Sequence, residues 1–138
     1  MDEARRNLVK KLRAMGSEQA ATWLLENCSI SSPGYRYSDV VPHLSWKVAD
    51  QFRLARHYLS NLPHPHGSIY EGFASFMSVP RFLQVIEEQI PRVPAERMSL
   101  LFYCLVPVLR DAIKSPRDEA AIMAFLARFG YRDFSEPQ

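Results

Sequence analysis

Three histidines and a glutamate in the middle of the chain are the side chains whose types could bind a metal or move a proton. His64 and His66 flank Pro65, with His57 upstream and Glu71 just downstream, so donors suited to zinc or iron lie close in sequence. The spacing matches no metal signature, because there is neither His-Glu-x-x-His nor Cys-x-x-Cys. Ser68 and Glu71 also stand three apart, the separation of a capping box in which each side chain satisfies the other's backbone amide. A metal-binding or histidine-dependent enzyme built on His57, His64, His66 and Glu71 is therefore the alternative reading, and no cofactor is predicted. Asp50, Arg53 and His57 fall within about 60° on a helical wheel, where a carboxylate would hold an imidazole and raise its basicity. An exposed polar face with pairing one turn apart explains the same spacing. No Gly-x-Ser-x-Gly elbow supplies a nucleophile, and serines near helix starts are accounted for as caps. Gly16, Gly34, Gly67, Gly72 and Gly130 are never spaced as a phosphate-binding loop. The chain is not predicted to be an enzyme.

Charge points elsewhere. Residues 1 to 15 hold five basic and two acidic side chains, while the whole chain carries only +2. Arg6, Lys10 and Arg13 form a basic stripe opposite the apolar face of the first helix, able to meet an acidic protein or phosphates. Nucleic-acid binders need a broader footprint, since neutralising several phosphates supplies their affinity. A weak nucleic-acid or anionic-surface contact through helix one is accordingly the third reading. The cysteines, Cys28 and Cys104, are expected to be buried as small hydrophobes without a disulfide.

The least bland segment is Tyr35-Arg36-Tyr37, followed by Asp39 and Trp46. Tyrosine, arginine and tryptophan combine large contact area with hydrogen bonding and dominate interface hot spots. Tyr35, Arg36, Tyr37 and Trp46 are expected as anchors, with Asp39 and Arg53 orienting a partner by charge. The competing reading packs the tyrosines over the core and pairs Arg36 with Asp39. The leading expectation is a small cytoplasmic protein-interaction module that binds and masks a protein partner, as an immunity protein, adaptor or chaperone does. Self-association stays open, because short amphipathic helices bury their apolar faces against a second copy as readily as internally.

The elements that must carry these residues are helical. With 138 residues, 47% of them hydrophobic and 12% aromatic, the chain is long enough to bury roughly two thirds of its unfolded surface in one domain. The longest apolar run, Leu100 to Leu109, is about half of a membrane span, and the first residues lack the order of a secretory signal. Strand alternation is nearly absent, whereas apolar residues recur every three or four positions. The predicted fold is an all-α, single-domain bundle of about seven short helices around a central apolar helix, with stacked helical hairpins as a variant.

Helix one is expected from Asp2 to Met15, buried through Ala4, Leu8, Leu12 and Met15 and stopped by Gly16. Ser17 should cap a second helix ending near Asn27. A long connection, 28 to 44, follows, in which Ser38 to Val41 forms a turn before Pro42. Ser45 should cap a third helix buried through Val48, Phe52, Ala55 and Leu59. After the break from Leu62 to Gly67, a fourth helix begins at Ser68 and buries Ile69, Phe73, Phe76 and Met77. Ser78 and Pro80 start a fifth that buries Phe82, Leu83, Ile86 and Ile90. The sixth, Ala95 to Lys114, is apolar all round and so expected to be central, with a kink or break at Pro107. Ser115, Pro116 and Asp118 open a seventh that buries Ala121, Ile122, Phe125, Leu126 and Phe129 until Gly130, with a frayed tail from about 131 to 138.

Overall fold

The computed structural model describes residues 3–28, 40–64 and 67–131. Among them are seven α-helices: α1 (Glu3–Arg13), α2 (Ser17–Asn27), α3 (Val48–Tyr58), α4 (Ser68–Ala74), α5 (Val79–Gln89), α6 (Met98–Asp111) and α7 (Pro116–Ala127). Short 3-10 turns occupy Val41–His43, Ile90–Arg92 and Ala95–Arg97. The fold is all-α, as the periodicity predicts, and the chain divides into two compact units, Met1–Tyr58 and Leu59–Gln138. No helix of the described residues is long and apolar enough to cross a membrane. The expected frayed tail lies, beyond Tyr131, outside the described residues.

In the first unit α1 buries Leu8, Val9 and Leu12, and α2, which packs on α3, buries Ala20, Ala21 and Leu24. Leu54, Ala55 and Tyr58 of α3 are fully buried. The buried face of α3 is thus rotated by roughly 100° from the expected one: Val48 is exposed and Phe52 half-buried under the Arg56 guanidinium. Two polar demands turn the helix. Tyr58 donates its hydroxyl to the Cys28 carbonyl at 2.5 Å, an acceptor just past the last turn of α2, and reaches at 3.2 Å the Leu24 carbonyl, which also accepts from the Cys28 amide at 2.8 Å. At the other end Asp50, only 6% exposed, accepts from Ser17 Oγ at 2.5 Å.

That contact corrects the expected role of Ser17. Gly16, in extended conformation, is the residue that caps α2, with no side-chain acceptor. Ser17 instead links α2 to the start of α3, donating to Asp50 and accepting from the Lys47 backbone amide at 3.0 Å. Ser45 is exposed and lies before the helix, whose first carbonyl acceptor is Lys47.

The second unit follows its local signals closely. Ser78 accepts from the Arg81 amide with Pro80 in the first turn, and Ser115 accepts from the Asp118 amide at 3.1 Å. Asp118 returns the favour by accepting from the Lys114 amide at 3.1 Å. At the far end of α7, Gly130 has φ +88°. The Tyr131 amide reaches back to Leu126 and the Gly130 amide to Ala127, the paired bonds of a left-handed helix stop that glycine adopts without strain. The Ser68 and Glu71 capping box does not form: Gly67 precedes α4 without a side-chain cap, and Glu71 is exposed.

Helix α6 begins at Met98, after the two 3-10 turns set by Pro91 and Pro94, and runs unbroken through Pro107. It buries Leu101, Phe102, Leu105, Val106, Val108 and Leu109, and Phe102 stacks on Phe125 and Tyr131 at centroid distances of 6.1 and 4.9 Å and meets Phe129 at a tilt at 5.3 Å. One side is nevertheless open. Leu100 is 36% exposed and Tyr103 80% exposed, and Pro107 is exposed one turn on. Pro107 has no amide to donate to the Tyr103 carbonyl one turn back, and both residues lie on this open side.

Candidate interaction surfaces

The expected anchors separate once placed. Tyr35, Arg36, Tyr37 and Asp39 lie outside the described residues. Trp46 is a correction: it is 8% exposed, and its indole Nε1 donates to the Val41 carbonyl at 2.9 Å. A tryptophan whose single donor is already used inside the protein packs under the 3-10 turn rather than standing out as an exposed anchor. Arg53 is exposed and donates to Thr22 Oγ1 at 2.9 Å, tying α3 to α2.

The wheel neighbours Asp50, Arg53 and His57 do not form an acid and base pair. Asp50 turns inward to Ser17, Arg53 reaches Thr22, and the exposed His57 ring meets Tyr58 edge-on at 5.0 Å. His64 is a loop fastener: its amide donates to the Tyr70 hydroxyl at 2.9 Å and its Nε2 lies 3.0 Å from the Ser60 carbonyl. Burial pushes the Tyr70 phenol up to about 12, opposing the downward pull of the His64 amide, and nearby Cys104 adds a smaller upward push. Among the described residues no group of three His, Cys, Asp or Glu side chains converges to hold a metal ion; His66 lies outside those residues. Cys28 and Cys104 are both free, and burial pushes the Cys28 thiol up.

Among the described residues two surfaces stand out. No protein-family model, curated protein or solved structure matches this chain. Its surfaces must therefore be read from their own chemistry.

The first surface is on α1. Arg6, Lys10 and Arg13 are all exposed, as the basic stripe requires. Lys11 instead lies over the Trp23 ring at 4.9 Å. Arg13 donates to the His43 carbonyl at 2.9 Å and borders a cleft of about 390 Å³ floored by Leu12, Leu44 and Trp46. The second surface is the open side of α6, where Leu100, Tyr103 and Pro107 fall within about 60° of one another. Reading Leu100 to Leu109 as apolar all round hid it. The available signal was the pairing of Tyr103, which carries a hydroxyl, with a proline four residues later, since both are tolerated best on a hydrated face.

Proposed function

We propose that this protein is an interaction module that binds a protein partner and masks part of its surface, in the manner of an immunity protein, adaptor or chaperone, without a cofactor. The observation that carries this reading is Tyr103, 80% exposed in the middle of α6 and flanked by exposed Leu100 and Pro107. A tyrosine ring has about 150–250 Å² to bury. Holding it in one rotamer costs little, because only two torsions must be fixed. The helix behind it is anchored by Leu101, Phe102 and Leu105, so the ring is displayed from a firm base rather than from a loop. Tyr35, Arg36, Tyr37 and Asp39 have the composition of a second anchor set, on sequence grounds.

The test uses the full chain as bait in extract of its native host, alongside Tyr103→Ala and Tyr35→Ala/Tyr37→Ala variants. A protein retained by the wild type and lost from the variants, with melting temperatures within a few degrees of wild type, supports the reading. Equal retention by all three baits overturns it.

A further inference from the structure

We infer that the cleft on the first unit is an acidic-residue socket, which seats a glutamate side chain of a polypeptide partner. The inference rests on the protein-binding reading above but on different residues, and it specifies the chemistry of the partner. Arg13 stands at the wall of the cleft, and its Nη2 donates to the His43 carbonyl at 2.9 Å. That bond uses one of the guanidinium's five N–H donors and holds the group beside the cleft, leaving the others for a paired approach by two carboxylate oxygens. The exposed His43 ring and Ser45 hydroxyl line the same cleft, adding donors beside the guanidinium. Leu12, Leu44 and Trp46 form an apolar floor, all nine-tenths or more buried. A glutamate fits this arrangement better than a bare anion, because its methylenes rest on the floor while its head meets Arg13.

Charge complementarity extends the site beyond the socket. Lys10 is one turn back from Arg13 on the exposed side of α1, with Arg6 a further turn away, so successive acidic residues of a bound segment would each find a cation. Against these stand Glu18 in the first turn of α2 and the buried Asp50, whose Oδ2 is occupied by Ser17 Oγ. A nucleic-acid backbone is the poorer occupant. Its affinity depends on many phosphate contacts along a broad surface, whereas this cleft of about 390 Å³ is near the lower end of ligand-sized sites, about 300–1,000 Å³.

The socket is tested by titrating isotope-labelled full-length protein with a capped hexaglutamate peptide and following assigned amide and indole signals. The expected result is saturable shifts of the Trp46 indole and of the Leu44 and Ser45 amides, with the Gly130 amide unmoved. Capped hexaglutamine should not reproduce them, and Arg13→Gln should weaken binding about tenfold, the loss of a charge-assisted bond. Lys10→Gln, which leaves the Arg13 to His43 bond in place, should weaken it about threefold and keeps the test valid if Arg13→Gln perturbs folding. Tyr103→Ala should bind the peptide as wild type does, so failure of the socket and failure of the α6 reading are seen separately. Equal response to hexaglutamine, no saturable shift, or tighter binding of inorganic phosphate or of a short DNA duplex than of hexaglutamate would each overturn the inference.

Discussion

The Tyr58 hydroxyl sits 2.5 Å from the Cys28 carbonyl, with the Leu24 carbonyl within reach of the same proton at 3.2 Å. One buried side chain thereby closes the end of α2 and sets the rotation of α3. Tyr58→Phe keeps the ring and removes the donor, so the Cys28 carbonyl loses its short bond while the Leu24 carbonyl keeps the Cys28 amide. The expected cost is about 1–3 kcal/mol, read from urea unfolding with helical content unchanged. A loss below a few tenths of a kcal/mol would mean that the bond contributes nothing to the first unit.

Ser17 provides a second cross-connection, and Ser17→Ala separates a cap from a tertiary link. Loss of a helix cap leaves backbone amides that water can reach, whereas here the buried Asp50 carboxylate loses its hydroxyl donor. The expected penalty is about 1–3 kcal/mol, and Asp50→Asn in the same background should recover part of it by removing the charge. No recovery would place the effect in α2 itself.

Alkaline stability reports on Tyr70. Between the ordinary phenol value of about 10 and the folded value of about 12, the unfolded chain has lost this proton while the folded chain keeps it. Unfolding then releases a proton, so stability is fully present below about pH 10 and falls as pH rises toward 12. Tyr131 and Cys28, both pushed up by burial, act in the same direction. Urea midpoints measured across that range should decline. Tyr70→Phe should decline less steeply, from a lower start because the His64 amide loses its acceptor. Parallel slopes would remove Tyr70 as the cause.

Pro107 is an opportunity for stabilisation. It lies inside α6, where proline is worse than alanine by about 3 kcal/mol, offset by roughly 0.4–1 kcal/mol from its stiffer unfolded chain. Pro107→Ala restores a donor to the Tyr103 carbonyl and should raise stability by about 2–2.5 kcal/mol, seen as a higher melting temperature. A lower one would show that the helix path depends on the ring.

Much of the fold was legible because its punctuation is local. Ser78 with Pro80, Ser115 with Pro116, and Gly130 each act within one turn of chain, and the helices they bound appear where expected. Ser17, Ser45 and Ser68 carry the same signature and do not cap. A serine beside a helix start has a tertiary use open to it as well, and Asp50 claims Ser17 from 33 residues away. The surface was harder still. Periodicity treats tyrosine and tryptophan alike as bulky and apolar, yet Trp46 found its acceptor at Val41 and went inside, while Tyr103, one turn before Pro107, stayed out.

The central claim, that Tyr103 anchors a protein partner, is tested most directly by calorimetric titration of the captured partner into wild-type and Tyr103→Ala protein. The account predicts a loss of at least about 2 kcal/mol in binding, the mark of a hot spot, with unchanged unfolding of the free protein. Affinities equal within experimental error would contradict it.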